Sequence, residues 1–453
     1  MTSRREFFKR AARMTGNAGL ASLLQSSIER ASAIDPPKDT TFLDAEHIVI
    51  LMQENRSFDH CFGRLRGVRG FNDPRAVTLP NGHPVWLQTN AAGETYAPFR
   101  LDLKGSKATW LGSLPHSWTD QTDARNHGNH DGWLDAKPSS RKELAGMPLT
   151  LGYYDRDDIP FYYSLADAFT VCDQHFCSSL TGTTPNRLYL WTGTVREKQD
   201  KSSLPAVRNS EVDYGSEARW TTFPERMEDA GVSWKIYQNE LSLPTGFTKE
   251  EEGWLANFSD NPIEWFEQYF AGFHEPYRRQ LEQLAATLPG EIEQLRTSSG
   301  GGGPELAAKE ALLRKVPSER AKWTSEALDR LSSRSRSLHE KAFTTNRGDP
   351  HYRQLAALRY RDGRHPRDGD PARRHSAPVP RGCPDGQASN SVLAGGARGV
   401  FGPPVISVVW CVVRCRDSQY PDSQCGTLEE DDLHSHLRRE RRLLRPRAPV
   451  RRA

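Results

Sequence analysis

The stretch from His47 to Gly63, HIVILMQENRSFDHCFG, most constrains what this chain can fold into. Its apolar run, Ile48 to Met52, is typical of a strand buried on both faces in a parallel sheet that helices cover. Glu54 and Asn55 follow the predicted strand at its carboxyl end, where open α/β sheets place their ligand sites. The sequence therefore predicts an α/β domain with a site built around Glu54 and Asn55.

Glu54 and Asn55 have two possible interpretations. Adjacent oxygen ligands suit a hard divalent metal ion. Asn is also a preferred N-cap residue, so the pair could instead cap the helix that follows. The residue types alone leave both interpretations open.

Two motifs resemble a known family. ENRSFDHCFG, Glu54 to Gly63, resembles the signature of the bacterial phosphoesterase family that contains the non-haemolytic phospholipases C and the related acid phosphatases. HFCSSLTGTTPNRLYLWTGT, His175 to Thr194, resembles the phospholipase C branch. The resemblance implies an alkaline-phosphatase-like α/β core, with a central, mostly parallel sheet flanked by helices. It also implies an active-site divalent metal ion, of unknown identity, held by the pair that matches Glu54 and Asn55.

The pattern around Thr183 is typical of a sharp turn that opens a helix, because Gly182 precedes it and Asn186 follows. Such a turn directs a hydroxyl and backbone N–H groups to one spot, which suits an anion. In the family the residue after this glycine is the nucleophile, so the resemblance implies that Thr183 attacks phosphorus, with Thr184 as the alternative. Metal coordination would activate the hydroxyl, so Thr183 is also a predicted metal ligand. The structural alternative is that Thr183 only forms an ST-turn. Gly182 and Asn186 are candidate substrate-binding residues.

The segment LPHSWTDQTDARNHGNHDGW contains three histidines, His116, His127 and His130. Their spacing matches no compact zinc motif. The resemblance implies that the histidine of the HSW segment, here His116, lies in the active site near the phosphate. We expect His127 and His130 to be solvated loop residues.

The N-terminal region predicts export. Residues 3–9 read SRREFFK, a mildly apolar segment follows, and Ala31-Ser32-Ala33 matches an A-x-A cleavage site. Residues 1–33 are therefore a predicted twin-arginine signal peptide, a basic N-terminal helix being the alternative. We expect the Tat machinery to export the protein to the periplasm, the cell envelope or the medium.

Composition limits the other classes of partner. A net charge of +3 over 453 residues does not indicate a nucleic-acid-binding protein. No run of 18 or more apolar residues predicts a transmembrane helix. Seven cysteines form no even disulfide framework. Cys172 and Cys177 are close enough in sequence to form a disulfide, but two buried thiols are the equal alternative.

Residues 34–362 form the predicted phosphoesterase domain. Within it, residues 261–340 are charged and predicted to be helical, with a glycine-rich joint at 298–304. We expect a helical hairpin inserted in the domain or lying across it. A dimerising coiled coil is the alternative, although sustained a/d heptads are absent. The sequence predicts no oligomeric state.

Residues 363–453 differ in composition from the rest of the chain. No lysine follows Lys341, arginine becomes the dominant cation, and four of the seven cysteines lie in this tail. The family's second metal-binding motif, TYDENDGYFDHV, is absent. Permitted codons for Leu437 to Arg447, read one base later, encode Tyr-Asp-Glu-Asn-Asp-Gly-Tyr-Phe-Asp-His, and the same offset fits 391–410 and 428–437. We therefore interpret 363–453 as a frameshifted tail that is disordered or non-native. A basic arm for nucleic acid is the weaker alternative.

The resemblance implies a phospholipase C that acts on phospholipid at a membrane surface. The expected reaction is metal-assisted hydrolysis of a phosphodiester, such as phosphatidylcholine, to diacylglycerol and phosphocholine. An acid phosphatase acting on phosphomonoesters is one alternative. A catalytically inactive exported remnant is another, because loss of the second motif would leave the metal site half built.

Resequencing the genomic DNA across codons 355–380 tests the frameshift interpretation. We expect a one-base correction there that opens the reading frame into the Tyr-Asp-Glu-Asn-Asp motif. An unchanged sequence would contradict a sequencing error and would leave a chain that lacks the Asp-Glu pair of that motif.

Overall fold

The computed structural model describes residues 45, 47–52, 54–103, 105, 113–248, 251–252, 260–298, 303–345, 347 and 410–414, with the single residues 28 and 41. One compact unit spans Met1–Arg414, and a second, Cys415–Ala453, lies outside the described residues. The predicted signal peptide also lies outside them, except for Ile28.

The described strands form a four-stranded sheet and two small pairs. They are β1 (His47–Leu51), β2 (Gln88–Thr89), β3 (Thr95–Tyr96), β4 (Phe99–Arg100), β5 (Gly152–Tyr153), β6 (Ile236–Gln238), β7 (Thr344–Thr345) and β8 (Trp410–Arg414). The four-stranded sheet has the order β1-β8-β6-β7. Strand β8 runs antiparallel to β1 and β6, whereas β6 and β7 are parallel. Strands β2 and β3 pair in antiparallel, and β4 and β5 pair in parallel.

The described helices lie between strands β1 and β7 along the chain. They are α1 (Phe58–Phe62), α2 (Trp118–Arg125), α3 (Trp133–Ala136), α4 (Pro160–Ala168), α5 (Thr183–Thr192), α6 (Phe223–Asp229), α7 (Glu275–Ser298), α8 (Pro304–Lys322), α9 (Ser325–Asp329) and α10 (Ser333–Ala342). Short 3-10 turns, such as Asn209–Glu211, lie between several of them. Among the described helices, none is long and apolar enough to cross a membrane.

The mixture of helix and sheet agrees with the predicted α/β class, but the prediction of a mostly parallel sheet is wrong for the described strands. Strand β8 lies between β1 and β6 and runs opposite to both. It belongs to the tail that we expected to be disordered. Its sequence, WCVVR, contains two adjacent valines, which favour extended backbone.

Strand β1 is present where the apolar run predicts it, but it is not buried on both faces. Ile48, Val49 and Leu51 are 44%, 48% and 44% exposed. Among the described strands, β1 lies at the edge of its sheet and pairs on one side only. Glu54 therefore follows an edge strand rather than a central one.

The charged segment after residue 261 contains the two longest described helices, α7 and α8, which pack against each other. Lys309 forms an ion pair with Glu291 at 2.5 Å, and Arg296 forms one with Glu310 at 2.6 Å. The apolar side of α7, including Leu288, is buried in the largest core cluster. That packing joins α7 to the same core as α5 and β6.

Helix α1 packs on a smaller core cluster that consists of Cys61, Leu101, Tyr154, Ile159 and Tyr163. His60, on this helix, forms a 2.6 Å hydrogen bond through Nδ1 with the Gly152 carbonyl oxygen in β5. Burial, and then the positive charge of Arg56, lower the pKa of His60 to about 4. The imidazole is therefore neutral at neutral pH, with its Nδ1 proton donated to Gly152.

Because the pKa of His60 is lowered, the free energy of unfolding depends on pH in the acid range. The pKa is about 4 in the folded chain and 6.5 ordinarily, so the unfolded chain binds the proton first as the pH falls. The stability is therefore present above pH 6.5 and is lost as the pH falls toward 4. We expect His60→Gln to reduce the fall in unfolding free energy between these pH values, measured by urea unfolding.

The exposed loop histidine His127 supplies the matched control, His127→Gln. We expect this variant to lose stability with acid as the wild type does. Equal slopes in His60→Gln and wild type would contradict the prediction.

Candidate active site

The turn at Gly182 places Thr183 as the first residue of helix α5. A Cβ atom on Gly182 would lie 3.0 Å from Asn209 Oδ1 and 3.4 Å from the His116 carbonyl oxygen. Two other segments thus approach the turn closely, and a larger residue would push them away. The glycine is required here by close packing rather than by an unusual φ.

The side chain of Asn186 stabilises this turn by hydrogen bonds to its backbone. Its Nδ2 donates to the carbonyl oxygens of Gly182, Ser179 and Thr181 at 3.0, 3.1 and 3.3 Å. Its Oδ1 accepts the Ser179 N–H at 3.1 Å. Asn186 and Gly182, predicted to bind substrate, therefore lie in the turn that carries Thr183, the predicted nucleophile (the nucleophile turn). The side-chain amide of Asn186 is engaged there by the backbone.

Asn209 is a further supporting residue that the sequence motifs do not indicate. Its Oδ1 accepts the Thr184 N–H at 3.1 Å. The interaction joins α5 to a 3-10 turn 25 residues away in sequence. Only the tertiary structure brings Asn209 to this place, since no local pattern distinguishes it.

Of the two threonines, Thr183 has the accessible hydroxyl. Thr184 is 0% exposed, whereas Thr183 is partly exposed. The Thr183 hydroxyl donates to Glu54 Oε1 at 2.9 Å, across 129 positions of sequence. The Thr183 hydroxyl therefore has a partner far outside its own turn, which a local ST-turn alone does not provide.

Asn55 has a left-handed backbone, with φ of 61°, and its Nδ2 donates to Glu54 Oε1 at 3.3 Å. The N-cap of α1 is Ser57, whose Oγ accepts the His60 N–H at 3.2 Å. The capping interpretation of Glu54 and Asn55 is therefore wrong. Both remain at the site, and Asn residues tolerate the left-handed region better than most.

Arg187 and Asp260 complete the surroundings of Glu54, and sequence reasoning missed both. Arg187 is 1% exposed and donates through Nε to Glu54 Oε2 at 3.0 Å. Its Nη2 is 3.0 Å from Glu54 Oε2 and 3.0 Å from Asp260 Oδ1. Arg187 stands four positions after Thr183 and thus on the same side of α5, which was the available sequence signal.

His116 lies against the nucleophile turn through its backbone, as the close approach of its carbonyl oxygen to Gly182 shows. Its Nδ1 hydrogen bonds with the Leu114 carbonyl oxygen at 2.7 Å, which leaves Nε2 for other partners. The ring lines a cavity of about 450 Å³ that reaches Asn209. The other lining residues are Ser113, Leu114, Pro115, Ser117, Asp120, Pro138, Ser139 and Ser140.

A buried lysine holds the loop that carries His116. Lys137 is 5% exposed, and its Nζ donates to the Pro115 carbonyl oxygen at 2.8 Å and to Gln121 Oε1 at 3.0 Å. Burial lowers the pKa of Lys137 to about 8, against the opposing effect of Asp120. The ammonium thus positions the cavity wall by direct hydrogen bonds.

The oxygen donors of Glu54, Asn55 and Thr183 lie together and suit a hard divalent metal ion by type. In the described part of the chain, however, no three His, Cys, Asp or Glu side chains are grouped so that they could hold a metal ion. His127, one of the three histidines of the segment that contains His116, is exposed in its loop. The described residues therefore fit one side of a metal site.

The two cysteines that precede the nucleophile turn, Cys172 and Cys177, form no disulfide. Cys172 and Cys177 are both exposed with free thiols. Neither interpretation offered by the sequence, a disulfide or two buried thiols, describes them.

Comparison with known proteins identifies the family. The model of the Phosphoesterase family matches residues 45–296, which include Glu54, His116, Thr183 and Asp260. The chain belongs to the phosphoesterase family. The predicted family is thus confirmed.

The similar curated proteins are phospholipases C. The non-hemolytic phospholipase C of Burkholderia pseudomallei is 44% identical over 272 residues, 59% of this chain and 37% of that protein. The non-hemolytic phospholipase C of Pseudomonas aeruginosa is 42% identical over 273 residues, 59% and 36% of the two chains. Phospholipase C B of Mycobacterium tuberculosis is 41% identical over 246 residues, 53% and 46%. The chain matches less than half the length of each of these relatives.

Asn186→Ala tests the support of the nucleophile turn. The variant leaves one N–H and three carbonyl groups without their side-chain partner, so we expect it to lower the free energy of unfolding by about 2 to 3 kcal/mol. Urea unfolding followed by circular dichroism measures the change.

Asn81→Ala is the matched control, because Asn81 makes a comparable side-chain bond to the His83 N–H in an exposed turn. We expect it to lose less than about 1 kcal/mol. Equal losses in the two variants would contradict a special role of Asn186.

Proposed function

We propose that this site hydrolyses phosphodiesters as a phospholipase C, with Thr183 as the nucleophile. The observation that carries the proposal is the 2.9 Å hydrogen bond from Thr183 Oγ1 to Glu54 Oε1, at the N-terminus of α5. The similarity to proteins named phospholipase C supports the same substrate class. Phosphatidylcholine is the proposed substrate type, and diacylglycerol and phosphocholine are the products.

The first step forms a bond between Thr183 Oγ1 and phosphorus and breaks the bond from phosphorus to the diacylglycerol oxygen. The hydroxyl proton leaves along the hydrogen bond to Glu54 Oε1. The N–H of Thr183 is the backbone donor proposed to face the anionic phosphoryl group, which the positive end of the helix stabilises, because the Thr184 N–H is bonded to Asn209 and Pro185 has no N–H. Water then adds to phosphorus and gives a proton to the His116 imidazole. The bond from phosphorus to Thr183 breaks, and the Thr183 oxygen regains its proton from Glu54.

His116 is proposed to serve the leaving group. Its Nδ1–H is donated to the Leu114 carbonyl oxygen, so in the imidazolium form Nε2 is the nitrogen that can donate a proton to the diacylglycerol oxygen or to a phosphoryl oxygen. The cavity that His116 lines reaches Asn209, which bonds the backbone of Thr184. A substrate group in this cavity would thus lie beside the nucleophile turn.

Glu54, Asn55 and Thr183 are the residues that would hold a divalent metal ion. When bound, such an ion would neutralise phosphoryl charge and activate the hydroxyl. The described residues supply one side of this site and a single carboxylate. An added cation should therefore bind weakly unless other residues complete the site.

We also propose that the protein is exported by the Tat machinery and acts at a membrane surface. Export is supported by the twin-arginine motif and the cleavage site within residues 1–33. Action at a membrane surface follows from a phospholipid substrate.

Turnover assays on the full chain test the proposal. We expect hydrolysis of para-nitrophenyl phosphorylcholine with added divalent metal ions, and a fall in kcat of about 1,000-fold or more in Thr183→Ala. Thr297→Ala, a change at an exposed threonine of α7, is the control and should leave kcat unchanged.

The alternatives give different results in the same assay. Faster hydrolysis of para-nitrophenyl phosphate than of the choline diester would favour an acid phosphatase. No turnover of either substrate by a soluble, folded sample with added metal ions would favour an inactive remnant. This is the second candidate because the proposed metal donors, Glu54, Asn55 and Thr183, include a single carboxylate.

A further inference from the structure

Arg187 is a buried cation in the middle of the candidate site. Its side chain is 1% exposed, and it contacts two carboxylates, those of Glu54 and Asp260. A buried charge is costly unless it is paired and hydrogen-bonded. The two acidic partners compensate for burial, so the guanidinium is a fixed part of the site.

The contacts of Arg187 determine the orientation of its guanidinium plane. On one side, Nη1 donates to the Asp260 carbonyl oxygen at 2.8 Å and Nη2 lies 3.0 Å from Asp260 Oδ1. On the other side, Nε and Nη2 both lie 3.0 Å from Glu54 Oε2. A planar guanidinium held at both edges cannot rotate without losing contacts.

This arrangement divides the two oxygens of Glu54 between different partners. Oε2 faces Arg187, while Oε1 accepts hydrogen bonds from Thr183 at 2.9 Å and Asn55 at 3.3 Å. Because both oxygens belong to one rigid carboxylate, a displacement of Oε2 from Arg187 would also displace Oε1. The position of Oε1 relative to the Thr183 hydroxyl thus depends on Arg187.

The placement of these residues in the fold increases that dependence. Thr183 and Arg187 lie one turn apart on the same side of α5 and move with the helix. Glu54 instead follows β1, an exposed edge strand. Arg187 therefore connects a residue on the sheet edge to the helix that carries the hydroxyl.

We propose that Arg187, held by Asp260, is a positioning residue that aligns the Glu54 carboxylate with the Thr183 hydroxyl. The proposal rests on the proposed function, in which this hydroxyl reacts. A purely structural role would differ in one respect. The arginine would then stabilise the packing of α5 on the segment at Asp260, and its loss would leave the contact between Glu54 and Thr183 unchanged.

The test compares Arg187→Lys and Arg187→Met in the full chain. Lysine keeps the charge but cannot contact both edges, and methionine removes the charge. In crystal structures we expect the distance between Glu54 Oε1 and Thr183 Oγ1 to exceed about 3.5 Å in both variants. We expect kcat to fall about tenfold in Arg187→Lys and further in Arg187→Met, with KM nearly unchanged.

Arg334 provides the matched control, because it forms a two-point ion pair with Asp229 at 2.6 and 2.9 Å on the surface. Arg334→Lys and Arg334→Met should leave kcat and the contact between Glu54 and Thr183 as they are in the wild type. This pair of variants separates loss of a general ion pair from loss of alignment.

Each outcome decides the proposal. An unchanged distance near 2.9 Å in Arg187→Lys overturns it, even if stability falls. If Arg187→Met does not fold, Arg187→Lys decides alone. If the wild type shows no turnover, the proposed function fails, while the distance between Glu54 and Thr183 still decides the positioning role.

Discussion

The carboxylate of Glu54 is the group on which the rest of the site depends. Its two oxygens receive hydrogen bonds from two residues of one helix, Thr183 and Arg187, that lie 129 and 133 positions away in sequence. The contact joins the edge of the sheet to the start of α5, and through Arg187 it extends to Asp260. A buried guanidinium between two carboxylates tolerates little displacement, because breaking either pair leaves an uncompensated charge in the interior.

The turn before α5 holds Thr183, the proposed nucleophile, in a fixed position. Gly182 permits the approach of the segments that carry His116 and Asn209, and the amide of Asn186 bonds the backbone from within. A hydroxyl held in this way reaches its partner without ordering a flexible loop first. Such preorganisation is the usual means by which an enzyme reduces the entropy lost on reaching the transition state.

The edge position of strand β1 and the donors proposed for a metal ion both relate to the frameshift interpretation. The strand is an exposed edge among the described strands, and the donors proposed for a metal ion, Glu54, Asn55 and Thr183, include a single carboxylate. The frameshift interpretation predicts the loss of a second carboxylate pair and of strands from the sheet. That interpretation stays a prediction, but exposure of Ile48 and Val49 is what a sheet without its neighbouring strands would show.

The sequence by itself determined the family, the strand before Glu54, and the turn that makes Thr183 the first residue of a helix. These features are local, since an apolar run, a glycine and an asparagine act on their own neighbours in the chain. Only the tertiary structure decided that Thr183 rather than Thr184 is accessible, and that Arg187, Asp260 and Asn209 belong to the site. It also decided that β1 is an edge strand. These outcomes depend on contacts between distant segments, and the residue types involved occur throughout the chain without a distinguishing local pattern.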